Sequence, residues 1–270
     1  MPSYSPVAAV VRGLEVLRIV NRAKLATIKL IHAETGYDKG TIVRMLETLI
    51  AVDYVKRDET TGGYRVTGRV MQLSAGFDRY DLAASLAGPV LARFRGAVGW
   101  PSDFALRDGD AMILVRTSRE PGPLAFNRSP GFRAPILFTS IGRAYLAYCP
   151  QNERDEILNL MRSGPNGGEM PESLDAVLAQ TRRDGFSVMD DAYSQREYNG
   201  ILWAIAVPVM DSGHVYGAIN VMMLRQAVGL DRAREVVLPA LREASAEIAK
   251  AFVASEFNAM AGADHAVTDR

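Results

Sequence analysis

The stretch that decides the fold is Thr27–Arg65, TIKLIHAETGYDKGTIVRMLETLIAVDYVKRDETTGGYR. In its middle, Ile42, Met45, Leu46, Leu49 and Ile50 recur at spacings of three and one, which makes one apolar stripe along a helix. Lys39, Thr41 and Arg44 then face outward. Asp38 is placed to cap this helix, with Tyr37 and Ile42 at the positions of a hydrophobic staple, so the helix starts at Lys39. Upstream, Thr27 caps a shorter helix that ends at Gly36, a residue that tolerates a left-handed turn. Two short helices joined by a glycine turn make a helix-turn-helix.

The next residues form a wing. Tyr54–Arg57 and Tyr64–Val66 read as short strands joined by Asp58-Glu59-Thr60-Thr61-Gly62-Gly63, a run with hairpin-turn chemistry. In a winged helix-turn-helix the second helix enters the major groove and the wing lies along phosphates. The candidate DNA-contacting set is Thr27, Lys39, Gly40, Thr41, Arg44, Lys56 and Arg57. Within it Arg44 is suited to fork onto guanine, Thr41 to meet a base edge or phosphate, and Lys39, Lys56 and Arg57 to meet phosphates. A small helical domain with solvated charges has the same apolar period; the order of stripe, glycine turn and wing favours double-stranded DNA.

Charge supports this once it is split by position. The chain of 270 residues is formally neutral, but residues 1–70 hold eleven Lys and Arg against seven Asp and Glu, leaving the remainder acidic. The length suits two domains, and 48% apolar composition suffices for packed cores. No stretch is long enough to span a membrane, the first residues lack a signal-peptide pattern, and the sole cysteine, Cys149, has no internal disulfide partner. A cytoplasmic location with no membrane partner is expected.

Along the rest of the chain, Val10, Leu14, Leu17 and Asn21 mark a first helix face expected to pack behind the helix-turn-helix. Residues 68–77 and 81–98 read as mostly helical, with Gly88-Pro89 breaking the second stretch in two. Met71, Leu73, Leu82, Leu86, Val90, Leu91 and Phe94 are expected to pack on the next domain or on a second subunit. A hairpin spans Phe104 to Thr117, and Leu124–Asn127 reads as another strand. A helix covers Arg143–Tyr148, surface helices cover Gln151–Met161 and Ser173–Arg183, and residues 163–168 form a loop. Phe186–Met189, Ile201–Met210 and Val215–Met223 read as strands, the last two paired across Asp211-Ser212-Gly213. A final helix runs from Asp231 to about Phe257, and residues 258–270 read as a disordered tail. The expected domains are a winged head (1–67), a linker helix (68–84), a sheet domain (85–257) and the tail.

The phrases VVRGLEVLRIV, ETGYDKGTIVRMLETLIAVDYV, GYRVTGRVMQLS, TSIGRAYLA and ILWAIAVPVMDSGHVYGAINV together resemble the IclR-type transcriptional regulators over essentially the whole chain. WPSDFALRDGDAMILVRTS, LAFNR and YLAYCP are similar to the branch that activates breakdown of hydroxyphenylpropionate. The resemblance implies an α+β architecture: a winged helix-turn-helix, a linker helix and a GAF-like effector-binding domain with a mixed sheet and flanking helices. It also implies a dimer or tetramer on a palindromic operator, with RNA polymerase as a further partner. Gly40 stands where the family has a small hydroxyl residue, which costs about 1 kcal/mol of helix propensity against alanine. Asp53 replaces the usual glycine before Tyr54-Val55, so a strained or differently capped turn is expected there.

The ligand implied is a small carboxylic acid. Thr139, Ser140, Ile141 and Gly142 sit at a helix N-terminus whose free N–H groups and dipole suit an anion. The resemblance places Ser140, Ile141, Ile201, Trp203, Asn220 and Met222 around the effector, Trp203 to stack on a ring and Asn220 to hydrogen-bond it. Phe126 and Arg128 join them, with Trp100, Phe104 and Tyr145 as further candidates. On residue type alone Trp203 reads as strand core and Arg128 as a solvated surface arginine. The aromatic enrichment favours a phenylpropionate-like acid over glyoxylate.

Other classes fare worse. Cys149, His214 and Asp190 do not form a nucleophile, base and orienting set, and no metal-ligand spacing, phosphate loop or dinucleotide fingerprint occurs. Neither an enzyme nor a cofactor is expected. A second domain that only oligomerises remains open.

Overall fold

The computed structural model describes residues 5–74, 78–120, 128–163 and 173–255. The chain divides into two compact units, Met1–Asp78 and Arg79–Arg270.

In the first unit, helices α1 (Ala8–Ala23), α2 (Ile28–Thr35) and α3 (Lys39–Ala51) precede strands β1 (Val55–Arg57) and β2 (Tyr64–Val66). The capping chemistry sets the boundaries. Thr27 Oγ1 accepts from the Leu30 N–H at 3.2 Å, and α2 ends on Gly36 at φ 70°. Asp38 then caps α3. Strands β1 and β2 pair antiparallel, with Val55 opposite Val66, Lys56 opposite Arg65 and Arg57 opposite Tyr64. Tyr64 also exchanges two backbone hydrogen bonds with Ala26, which fastens the wing to the helices.

The core of this unit is Val16, Leu17, Ile19, Val20, Ile31, Ile42, Leu46, Val55 and Tyr64. That corrects the expected face of α1. Only Leu17 of the expected set is buried, while Val10 and Leu14 are 58% and 60% exposed. The contact line instead runs through Gly13, where an added Cβ would lie 3.8 Å from Met45 Sδ, and on to Val16, Leu17 and Val20. The α3 stripe holds at Ile42 and Leu46, with Met45 and Leu49 half-buried, but Ile50 faces out.

Asp53 adopts φ 60°, the left-handed conformation glycine accepts at little cost, and its carbonyl accepts from Thr67 Oγ1 at 2.5 Å. Asp53→Gly is therefore expected to stabilise the head by about 0.5 kcal/mol, the relieved strain outweighing the added freedom of the unfolded chain. Urea unfolding of the full chain checks this; a lower midpoint would refute it.

A 3-10 turn, Gly68–Ser74, leads towards α4 (Asp78–Val98). Met71 and Leu73, expected to pack on the next domain or on a second subunit, are 75% and 55% exposed in the single chain. Helix α4 continues through Gly88-Pro89, where a break was expected. Ala83, Ala87, Val90, Leu91 and Phe94 form one buried stripe along it, and that burial outweighs the roughly 3 kcal/mol of a mid-helix proline. Pro89 and Ser85, whose carbonyl the proline ring deprives of a donor, lie on the exposed side.

The second unit carries a six-stranded sheet. Its strands are β3 (Ser102–Asp108), β4 (Ala111–Thr117), β5 (Arg133–Pro135), β6 (Ser187–Val188), β7 (Leu202–Asp211) and β8 (His214–Leu224). They lie in the order β5-β4-β3-β8-β7-β6, and every described pairing is antiparallel rather than mixed. The flanking helices are α5 (Ser140–Tyr148), α6 (Gln151–Ser163), α7 (Leu174–Asp184), α8 (Asp191–Tyr198) and the short α9 (Leu230–Arg232). A π turn, Ala233–Val237, joins α9 to α10 (Leu238–Ala254). Strand β5, helix α8 and the π turn carry no clear apolar period and were not anticipated. The strand expected at Leu124–Asn127, most of the loop at 163–168 and the tail at 258–270 lie outside the described residues.

The sheet's two faces differ in side-chain size. Phe104, Leu106, Trp203, Ile205, Val207, Ile219, Val221 and Met223 pack against α4 and α10. On the opposite face the central positions are small: Ala105, Ala206 and Ala218 share a core with α5 and the larger Met112, Leu114 and Val215 nearer the edges, and Ala204 clusters with α8.

Candidate nucleic-acid interface and ligand site

The outer surface of α3 presents Lys39, Gly40 and Arg44, all exposed, with Thr41 half-buried. Thr41 is committed to the cap: its N–H donates to Asp38 Oδ1 at 2.9 Å and its hydroxyl to Oδ2 at 2.6 Å. Those bonds hold the Asp38 carboxyl below its usual range, and they leave the Thr41 oxygen only as an acceptor towards DNA. Gly40 has a steric reason, since a Cβ there would lie 3.2 Å from Asp38 Oδ1. The loop before α3 is braced as well, because the Tyr37 hydroxyl donates to Glu15 and the Arg12 guanidinium lies 5.6 Å from the Tyr37 ring centre.

On the wing, Lys56 and Arg57 are exposed. Arg65, opposite Lys56, donates from Nε to Asp58 Oδ2 at 2.8 Å. Asp58 also accepts from the Thr61 N–H and hydroxyl, and these bonds, with the one from Arg65, lower its carboxyl to about 2. Thr27 is exposed, its oxygen occupied in capping α2. Exposed Arg69, stacked 5.5 Å from the Tyr54 ring centre, is a further cation beside the wing that no sequence pattern singles out.

The second candidate site lies on the face of the sheet towards α5 and α8. Strand register places Thr117, Asp103, Asn220, Ala206 and Ser187 in one row across β4, β3, β8, β7 and β6. In the next row Met222 is opposite Ala204. Met222, Ala204 and Leu202 form a buried cluster with Met189, Tyr193 and Tyr198, and Phe138 packs at its edge. The rings of Phe138 and Tyr193 are stacked with centres 6.4 Å apart.

Arg128 is buried, only 5% exposed, rather than solvated. Its Nη2 donates to the Tyr193 hydroxyl at 3.1 Å, and its guanidinium carbon lies 4.9 Å from the Phe132 ring centre and 5.2 Å from that of Tyr198. Its Nε and Nη1 have no hydrogen-bond partner among the described residues, and neither do the Ser140 hydroxyl and Asn220 Nδ2. Burial pushes the Tyr193 and Tyr198 hydroxyls up, so both stay protonated. The arrangement is a buried cation with spare donors, walled by aromatic rings, suited to a planar carboxylate.

Several expected site residues are placed elsewhere. Trp203 lies on the opposite face, its indole N–H donating to the Val228 carbonyl at 2.9 Å within the α4/α10 core. Ile201 precedes β7 and is 49% exposed. Alternation along β7 gives the site face to Leu202 and Ala204 instead, and a one-residue shift exchanges the faces. Phe104 packs edge-on against Phe252, Trp100 is partly buried against the same core, and Tyr145 donates its hydroxyl to Glu153. Phe126 lies outside the described residues.

The N-terminus of α5 is built for tight packing. Thr139 Oγ1 accepts from the Gly142 N–H at 3.3 Å and donates to the Pro135 carbonyl at 2.7 Å. A Cβ on Gly142 would lie 2.0 Å from the Ile136 oxygen, so only glycine fits. Ile141 is core, and Ser140 is fully buried. Helix α8 is fixed to α5 by Arg143, which donates to Asp190 Oδ2 at 2.7 Å while Asp190 caps α8.

Sequence reasoning missed Asp103, Arg119, Tyr193 and Tyr198. Asp103 carries no local signal, since β3 also holds Ser102, Arg107 and Asp108, and the tyrosines follow only from α8. Among the described residues no cluster of His, Cys, Asp or Glu could hold a metal, and no helix is long and apolar enough to cross a membrane. Burial raises the Cys149 thiol to about 11, which keeps it an inert core thiol.

Both units match known proteins. Residues 9–59 match the IclR helix-turn-helix domain and residues 76–250 the C-terminal domain of bacterial IclR transcriptional regulators. The Pca regulon regulatory protein of Pseudomonas putida is 29% identical over 88% of this chain and 81% of its own. The transcriptional regulator TsaQ1/TsaQ2 of Comamonas testosteroni is 24% identical over 81% of each. The crystal structure of an IclR homolog from Microbacterium hydrocarbonoxydans, complexed with 4-hydroxybenzoate, shares the fold at a TM-score of 0.66 and 22% identity, covering 92% of this chain and all of that one. The relatives and the family are transcriptional regulators, not enzymes. With a capped recognition helix and wing in its first unit and a ligand-binding domain in its second, this chain belongs to the IclR family of DNA-binding transcriptional regulators.

Proposed function

We propose that the effector is an aromatic carboxylic acid of the phenylpropionate or hydroxybenzoate type, bound on the face of the sheet towards α5 and α8 with its carboxylate on Arg128. The observation that carries this is the buried guanidinium among Phe132, Tyr193 and Tyr198, two of whose nitrogens have no partner among the described residues. A buried cation lacking its counter-charge is costly, and a carboxylate supplies both the charge and the acceptors. Arg119 is the weaker anchor, because its guanidinium is already bonded to Asp103. Asn220 Nδ2 and the Ser140 hydroxyl then take a ring substituent. The 4-hydroxybenzoate held by the Microbacterium homolog supports a ring-bearing acid.

The test is calorimetry and thermal unfolding with 4-hydroxybenzoate, 3-phenylpropionate, 3-(3-hydroxyphenyl)propionate and glyoxylate. An aromatic acid at 100 times its Kd is expected to add about 2.7 kcal/mol of stability. Stability flat with every acid would leave the second domain an oligomerisation module, and a response to glyoxylate alone would exclude the ring.

At the DNA, Arg44 is the base reader, and Lys39, Lys56 and Arg57 are phosphate contacts. Arg44→Ala is expected to cost about 1 to 3 kcal/mol and relax specificity at one base pair, whereas Arg57→Ala weakens all sequences alike and lowers the salt slope. Gel shifts on the cognate operator and on scrambled DNA separate the two; equal losses on every sequence for both variants would refute the division. The exposed apolar residues Val7, Val10, Val11 and Leu14 of the α1 region support self-association, and a dimer reads two half-sites one DNA turn, about 34 Å, apart.

A further inference from the structure

Strand β4 ends at Thr117, and the residues around its end touch the ligand face and the helix α4 at once. On the ligand face, Thr117 Oγ1 donates to Asp103 Oδ1 at 2.8 Å, while Arg119 grips the same carboxylate through Nε at 3.2 Å and Nη2 at 2.8 Å. Arg119 Nη2 also lies 2.8 Å from Met222 Sδ. Asp103 is fully buried, and its N–H donates to Asn220 Oδ1 at 2.9 Å. On the other side, the carbonyl of the intervening Ser118 accepts from the guanidinium of Arg95 in the last turn of α4, and Arg95 Nη2 lies 3.4 Å from Glu120. Ser118 is fixed in place by reciprocal bonds with Ser102, backbone N–H to carbonyl and N–H to hydroxyl, both at 2.9 Å. A second tie runs from the Met222 N–H to the Pro101 carbonyl, at 3.0 Å, just beyond the end of α4.

We propose that Thr117–Ser118–Arg119 is the element that couples ligand occupancy to α4, with Arg95 as the positioning residue that transmits it. The inference rests on the acid-binding reading above. A buried carboxylate does not leave its guanidinium cheaply, so Asp103, Thr117 and Arg119 move as one body. A ligand group that engages Asn220 Nδ2 acts on the same amide whose oxygen holds the Asp103 backbone. The displacement reaches Ser118, and Arg95 carries it into the helix whose first residues follow the DNA-binding head in the chain. The ligand biases α4 only by its unequal affinity for the two placements of this body. Arg95 hydrogen-bonds Ser118 and Glu120, both outside the acid cluster, so its removal separates coupling from binding.

The experiment uses the full chain and two readouts. In the first, operator affinity is measured with and without 4-hydroxybenzoate and the two phenylpropionates, alongside acid affinity by calorimetry. Wild type is expected to change operator affinity about fivefold or more on acid binding. Arg95→Gln should bind acid within about twofold of wild type yet shift operator affinity less than about twofold, Arg95→Lys should restore most of the response, and Arg93→Gln on the same helix should behave as wild type. In the second, which needs no ligand, amide exchange of residues 90–98 is compared in Asn220→Ala with and without Arg95→Gln. Faster exchange in Asn220→Ala that vanishes in the double variant supports the coupling even if no aromatic acid binds, in which case the acid reading alone falls. An undiminished acid response in Arg95→Gln overturns the coupling and leaves the acid reading standing. An exchange change in Asn220→Ala that is indifferent to Arg95, or no change at all, also overturns the coupling.

Discussion

Arg128→Met is expected to weaken binding of an aromatic acid by about 100-fold or more while leaving the unliganded protein as stable as before, or more so. The two effects have one cause. Among the described residues two nitrogens of the buried guanidinium, Nε and Nη1, have no partner, and an unsatisfied buried polar group costs about 1 to 3 kcal/mol. Methionine removes that penalty and fills similar volume, at the loss of the bond to Tyr193 and the contacts with Phe132 and Tyr198. With acid bound, the same substitution strands a carboxylate without its counter-charge, a loss of about 2 to 5 kcal/mol. Calorimetry and unliganded thermal midpoints together check this. A variant that binds acid normally, or one that is destabilised by more than about 2 kcal/mol without acid, would show that Arg128 has a structural task instead.

The second large effect is expected at Gly142. Alanine there would place a Cβ 2.0 Å from the Ile136 oxygen, a backbone atom with no rotamer to give way. Relief requires α5 to shift against the end of β5, with loss of about 3 kcal/mol and a fall in midpoint of about 6 to 12 °C for a unit of this size. Because Ser140 and Ile141 ride on the same turn, acid affinity falls as well. A midpoint within about 2 °C of wild type would show that the turn is looser than its geometry.

Local chemistry explains which parts of this fold were readable in the chain. Thr27, Gly36 and Asp38 act through bonds to residues three or four away, so the helix-turn-helix and its boundaries follow from sequence alone. Pairing of β7 with β8 is legible for the same reason, since only Asp211–Gly213 separates two β-rich runs. Long-range packing is not local. The buried side of α1 was misassigned because Gly13, with no side chain to mark it, sets the line of approach. Pro89 looked like a break because the burial that overrides it comes from a sheet formed by residues further along. The parity of β7 was not legible: nearly every residue there is apolar, so alternation carries no signal until Trp203 is seen bonded to Val228. Arg128 gave no sign of burial, because the rings that enclose it come from α8 and the segment before α5.

The unequal faces of the sheet have a wider consequence. Enlarging Ala204 or Ala206 would crowd the packing against α8 or α5 and leave the layer beneath α4 and α10 untouched, since alternate residues of one strand serve the two sides. Under the acid-binding proposal, substitutions that retune ligand fit and those that retune the α4/α10 core therefore fall at alternate positions of the same strand.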